Sequence, residues 1–193
     1  MHKKGVLTLA VKDTVHTFMK SDNFWISLAR ETLTALVAVG AIALLLFLYA
    51  GVWPPMVSVD GLSMYPNMHD GDLIIIQGIQ KSPVETYQAA LATNYSTFNG
   101  DGDVIVYQPY GRKDMTPVIH RAMYYVNASE PMWPGGIPAP NAGYITKGDN
   151  NFMFDQSSGV CPNTPVETGW ILGVAKFRIP FLGYVRSIFS FIH

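Results

Sequence analysis

The hydrophobic pattern divides the chain sharply near residue 55. From Thr32 to Val52 the run TLTALVAVGAIALLLFLYAGV carries no charge over 21 positions. As a helix rising about 1.5 Å per residue it extends about 31 Å, which matches a hydrocarbon core of roughly 30 Å. A buried core helix would keep a polar face. A cleaved secretory signal would have a shorter apolar region of about 7 to 15 residues with small residues before the cut, and Leu48 before Ala50 fits that poorly. The pattern predicts a transmembrane helix over 32–53, with Trp53 at the interface and Pro54 and Pro55 blocking further helix. Residues 1–31 read as an amphipathic lead-in, with Val11, Val15, Phe18 and Met19 near one helical face.

Beyond Met56 the apolar runs become short and β-rich: MVSV at 56–59, DLIIIQ at 72–77, DVIVY at 103–107 and PVIHRAMYYV at 117–126. GYITKG at 143–148 and TGWILGVAKFRI at 168–179 continue the series. Each is bounded by Gly, Pro, Asp or Asn, as strands are. The fold class predicted is therefore mainly β, one extracytoplasmic domain over 54–193 behind a single N-terminal helix. Two stretches, near 82–101 and 127–143, read as insertions, and residues 84–92 suit a short helix. The apolar end, 180–193, contains Arg186 and is too short to span a bilayer unaided, so it is expected to pack on the domain or rest in the interface.

Charge sets the orientation. Lys3, Lys4, Lys12, Lys20 and Arg30 precede the span, so the positive-inside rule puts the N-terminus in the cytoplasm and the domain outside it. The whole chain has 13 basic and 14 acidic residues, a net charge of -1, which offers no field for nucleic acid. Cys161 is the single cysteine, which excludes an intrachain disulfide and a cysteine-based zinc site. Asn94-Tyr-Ser96 and Asn127-Ala-Ser129 match the glycosylation sequon and fall on the external side.

Ser63 lies about a dozen residues past the span, in VSVDGLSMYPNMHDGDLIIIQ, in a turn bounded by Gly61 and Pro66. Taken alone, a serine there is a turn residue. Four blocks change that. They read Ser63-Met64-Tyr65-Pro66 followed by Gly71-Asp72-Leu73-Ile74-Ile75, then Gly102-Asp103-Val104-Ile105-Val106-Tyr107, then Val118-Ile119-His120-Arg121, then Lys147-Gly148-Asp149-Asn150-Asn151 with Asp155. In this order they resemble the signatures of the type I signal peptidases over roughly 57–183, and the preceding span fits that family as well.

The resemblance implies a membrane-bound serine endopeptidase that removes signal peptides through an acyl-enzyme, with Ser63 as nucleophile and His120 as general base. Histidine at that position is the pattern of the archaeal and endoplasmic-reticulum branch, where the bacterial branch has lysine. A free imidazole with pKa near ~6.5 is about three-quarters neutral at pH 7. A lysine would have to come down from ~10.4 to near 7, about 4 kcal/mol. A histidine base needs a carboxylate to orient it. Asp155 and Asp149 both qualify by position, and Gly-Asp-Asn is also an ordinary turn. The resemblance favours Asp155 as the third member, with Asp149 in support. His2, His16 and His193 fall away from the domain's blocks, His69 falls in a surface turn, and Lys81, Lys113 and Lys147 do not occupy the block position of the base.

The resemblance further implies an extended substrate pairing with edge strands, expected at Met56–Leu62 and Gly143–Ile145, with Gly61, Leu62, Met64 and Tyr144 as substrate-binding residues. No metal or organic cofactor is implied. The expected partners are signal peptides of secretory preproteins, the lipid bilayer and the secretion translocon. The expected location is the cell membrane, with the endoplasmic reticulum as alternative. One departure stands out: many family members have serine two residues before the nucleophile, whose hydroxyl aids the oxyanion hole, and here that residue is Gly61. Two rivals are a membrane-tethered β-domain without catalysis and a self-cleaving repressor of related fold, the latter opposed by the membrane span.

Overall fold

The computed structural model describes residues 23–184. Residues 1–22 of the lead-in, with His2 and His16, and the C-terminal stretch from residue 185, with His193, lie outside the described residues, while residues 24–31 belong to the helix. The chain forms two compact units divided between Leu46 and Phe47.

Helix α1 spans Phe24–Ala50, 27 residues. It starts earlier than the uncharged run because Asn23 Oδ1 accepts from Trp25 N–H at 3.0 Å, and Arg30 and Glu31 are accommodated by bonds to Ser27 Oγ at 3.3 and 3.1 Å. At about 1.5 Å per residue it is about 40 Å long. Leu33, Leu36, Val37, Val39, Ile42, Leu44, Leu45 and Leu48 are all exposed along it, so the helix is apolar and long enough to cross a membrane. It ends at Ala50, where Gly51 takes φ 68°.

The second unit is built on a six-stranded antiparallel sheet of β1 (Met56–Ser58), β2 (Leu73–Gln77), β5 (Val104–Tyr107), β6 (Val118–Val126), β7 (Gly143–Lys147) and β8 (Ile171–Ile179). The order across the sheet is β1-β2-β8-β5-β6-β7. The mainly-β class read from the strand pattern is what the chain adopts. The insertion near 82–101 carries helix α2 (Tyr87–Thr93), capped by Thr86 Oγ1, and a two-stranded ribbon of β3 (Ser96–Thr97) and β4 (Gly100–Asp101).

β5 explains where the core sits. All four of its residues are buried, and alternation sends Val104 and Val106 to one face and Ile105 and Tyr107 to the other. The first face packs with Val59, Met64, Met68, Ile74, Ile76 and Ala175. The second packs with Ala122, Val166, Ile171 and Val174. A strand buried on both sides reads as a continuous apolar run, which is how VIVY appears in the sequence.

Candidate active site

Successive residues on a strand point to opposite faces, and β6 uses this to separate two charged systems. His120 pairs with Ile105 and Arg121 with Val104. His120 therefore shares the face of Ile105 and Tyr107, while Arg121 lies on the other. Lys147 is the cross-strand partner of Arg121, so it too is on the face away from His120. The two aspartates divide accordingly. Arg121 holds Asp149 through both carboxylate oxygens, Nε to Oδ1 at 2.8 Å and Nη2 to Oδ2 at 2.7 Å. Its Nη1 donates to the carbonyls of Thr97, Gly100, Asp101 and Gly102 at 2.8 to 3.3 Å. Asp149 also accepts from Asn67 Nδ2 at 2.7 Å.

Asp155 instead meets His120. Its Oδ2 lies 2.7 Å from His120 Nδ1, 2.8 Å from Tyr107 OH and 2.6 Å from Thr146 Oγ1. Burial pushes the Asp155 carboxyl up, but the bonds and charge of His120 and the hydroxyls of Thr146 and Tyr107 outweigh it, leaving its pKa lowered. An ionised carboxylate only accepts, so Nδ1 carries the proton and Nε2 of the neutral ring is left with a lone pair. Burial and the charge of Asp155 push the Tyr107 hydroxyl far up, which keeps it a donor to that carboxylate.

Ser63 opens a tight turn in which Tyr65 N–H donates to Leu62 O at 3.1 Å and Met68 N–H to Met64 O at 2.9 Å. The turn sits in a loop closed at its base by Val59 and Gly71–Asp72, with Val59 N–H on Asp72 O at 2.8 Å. Buried Asp72 clamps the loop by accepting from His69 N–H at 2.8 Å and Phe181 N–H at 3.3 Å. The segment after β7 is fixed onto the turn: Asn150 N–H donates to Ser63 O at 2.8 Å and Asn150 Nδ2 to Leu62 O at 3.0 Å. Gly148 permits this approach. A Cβ there would fall 2.6 Å from Ser63 O, 2.7 Å from Asn151 Nδ2 and 2.9 Å from His120 Nε2. Ser63 and His120 thus flank one residue. Among the described residues the Ser63 hydroxyl and His120 Nε2 are not hydrogen bonded to each other, and such contacts often tighten only when substrate is bound.

The structure treats the expected substrate-binding residues unequally. Leu62 is exposed, and Gly61 is exposed with φ 97°. The Met64 side chain is 1% exposed in the core cluster, and its sulfur accepts from Asp149 N–H at 3.4 Å, so it supports the turn from within. The expected edge at Gly143–Ile145 falls in β7, the last strand of the sheet. Tyr144 already exchanges both backbone bonds with Val166 at 2.9 Å, and Thr146 N–H next along is bonded to Gln156 Oε1 at 3.0 Å. β1 is an edge of the sheet. On β6 the pairing with β7 begins at Arg121, so Val118–His120 pair with β5 alone. His69 is exposed and contacts Arg178 at 3.2 Å. Residues given no role from the sequence complete the two buried systems, Tyr107 and Thr146 around Asp155 and Arg121 around Asp149. Tyr107 was visible as the polar end of an otherwise apolar central strand, a group that must find a partner when buried. Among the described residues no three His, Cys, Asp or Glu side chains converge as a metal site would require.

No protein-family model matches the chain. It is similar to the signal peptidase complex catalytic subunits SEC11 of Saccharomyces cerevisiae strains YJM789 and RM11-1a, each 27% identical over 129 residues, covering 65% of this chain and 70% of the relative.

Proposed function

Because the chain is related to the type I signal peptidases, we propose that it is a membrane-bound serine endopeptidase that removes signal peptides from secretory precursors. The observation that carries this reading is the buried contact of 2.7 Å between His120 Nδ1 and Asp155, which leaves Nε2 basic on the side of Gly148 and Ser63.

In the proposed reaction His120 Nε2 takes the Ser63 proton as Oγ attacks the carbonyl carbon of the scissile bond. The imidazolium, stabilised by Asp155, returns that proton to the leaving amine as the C–N bond breaks. Water then attacks the acyl-enzyme, giving its proton to His120, and Ser63 recovers a proton as the carboxylic product leaves. Arg121 and Asp149 hold the turn that carries Ser63. An extended precursor lies between the β1 edge, continued through Gly61 and Leu62, and the part of β6 at Val118–His120 that pairs with β5 alone, a form of strand addition.

Helix α1 anchors the domain in the bilayer with its N-terminus in the cytoplasm, in a cell membrane or in the endoplasmic reticulum. The test is incubation of purified protein with a signal-bearing precursor and sequencing of the product N-terminus. Wild type releases the mature chain and Ser63→Ala does not. Equal cleavage by the two proteins rejects the enzyme and favours a non-catalytic tethered domain.

A further inference from the structure

We infer that Asn151 supplies the second oxyanion-hole donor, taking the role left open by Gly61; this rests on the reading of Ser63 as nucleophile. A tetrahedral oxyanion needs donors already aimed at it, and the turn provides one. Among the described residues the Ser63 N–H makes no hydrogen bond, while the carbonyls of Leu62 and Ser63 are both taken by Asn150. A backbone donor next to the reacting hydroxyl is thus uncommitted.

Residue 61 cannot supply the other. It has no side chain, and its φ of 97° is one that a serine would adopt only under strain. Asn151 has the missing chemistry. Its Nδ2 lies 2.7 Å from the point where a Gly148 Cβ would sit, with Ser63 O at 2.6 Å and His120 Nε2 at 2.9 Å from the same point. The amide, the Ser63 carbonyl and the ring nitrogen of the base therefore converge on one point.

Among the described residues the Asn151 side chain has no hydrogen-bond partner, although the residue is half-buried and its backbone is fixed by N–H to Gly148 O at 2.9 Å. The neighbouring Asn150 is anchored to the Ser63 turn. A half-buried amide held beside the catalytic pair with its donors free is arranged for a charge that appears only during reaction. Nothing is transferred to or from Asn151. Its N–H shares the oxyanion with Ser63 N–H while the tetrahedral species lasts.

The experiment measures kcat and KM on a precursor peptide, and the affinity of a matching peptide boronate, whose serine adduct carries an anionic tetrahedral oxygen. It compares wild type, Ser63→Ala, Asn151→Ala and Asn151→Asp, the last preserving shape but replacing the donor by an acceptor. The expected result is a fall in kcat of about 10²–10³-fold in both Asn151 variants, KM nearly unchanged, and boronate affinity reduced in parallel. Retention of kcat within threefold, or a change confined to KM, overturns the inference. If Asn151→Ala does not fold, Asn151→Asp decides by the same criteria. Activity surviving in Ser63→Ala would instead overturn the underlying enzyme reading, so the two failures are distinct.

Discussion

His120 Nδ1 and Asp155 Oδ2 lie 2.7 Å apart, with side chains only 5% and 0% exposed. A contact so well removed from water fixes the ring in one orientation and one tautomer, because the carboxylate accepts and does not donate. Arg121, the next residue along the strand, makes a separate pair with Asp149 on the opposite face. The two aspartates thus hold different partners on opposite faces of the strand.

Asp155→Asn and Asp149→Asn are expected to fail differently. The first leaves an amide that can present its N–H to Nδ1 and favour the wrong tautomer, lowering kcat by roughly 10²–10⁴-fold. The second leaves the Arg121 guanidinium, 3% exposed, without its bidentate partner. Breaking a buried pair in this way costs about 3–5 kcal/mol, so Asp149→Asn should lower the unfolding midpoint more than Asp155→Asn does. Urea titrations beside steady-state rates check both, and equal stability losses would refute the division.

Stability should fall in acid through Asp155. Its folded pKa is lowered, so its ionised form stabilises the fold above the unfolded value of ~3.9. That contribution is lost as pH falls through the depressed folded value. Between pH 5 and 2 the urea midpoint of wild type should therefore drop further than that of Asp155→Asn. Parallel curves would show that the carboxylate is not linked to folding.

Gly148→Ala and Gly61→Ala test two different reasons for glycine. At Gly148 the added methyl meets Ser63 O, Asn151 Nδ2 and His120 Nε2 at 2.6 to 2.9 Å. The turn must move, and cleavage should fall at least about 10²-fold, since misplacement of even about 1 Å has that cost. At Gly61 nothing lies within 4 Å, but φ is 97°, so the cost is backbone strain of about 1–3 kcal/mol in stability. Comparing kcat and the melting midpoint of both variants separates clash from strain.

Met64→Ala and Leu62→Ala address the substrate surface. Met64 fills the core, so its truncation should cost about 2–5 kcal/mol without changing which precursors are cut. Leu62 is 64% exposed, so Leu62→Ala should leave the melting midpoint within about 0.5 kcal/mol and raise KM. Competition between two precursors, with thermal melts alongside, distinguishes these outcomes.

The strand runs and the apolar helix were readable because burial imposes periodicity: VIVY and LIIIQ look like what they are. The helix start was not, because an uncharged window stops at Thr32 while Arg30 and Glu31 still fit the helix through Ser27. Asp149 and Asp155 were inseparable by spacing, although adjacent His120 and Arg121 must face opposite ways on a strand and so call for separate carboxylates. Met64 belongs to the same short block as Ser63, but one residue along the turn the side chain enters the core. Tyr144 does lie on the last strand of the sheet, but its bridge to Val166 was not legible because the two are distant in sequence.

The reading of Ser63 as nucleophile stands or falls with His120, held by Asp155, as its base. Single-turnover cleavage of a signal-bearing precursor by folded His120→Ala, with and without added imidazole, tests it most directly. The expected result is a loss of at least about 10²-fold in the variant and partial recovery with imidazole. A variant rate within tenfold of wild type, or no recovery with imidazole, would overturn it.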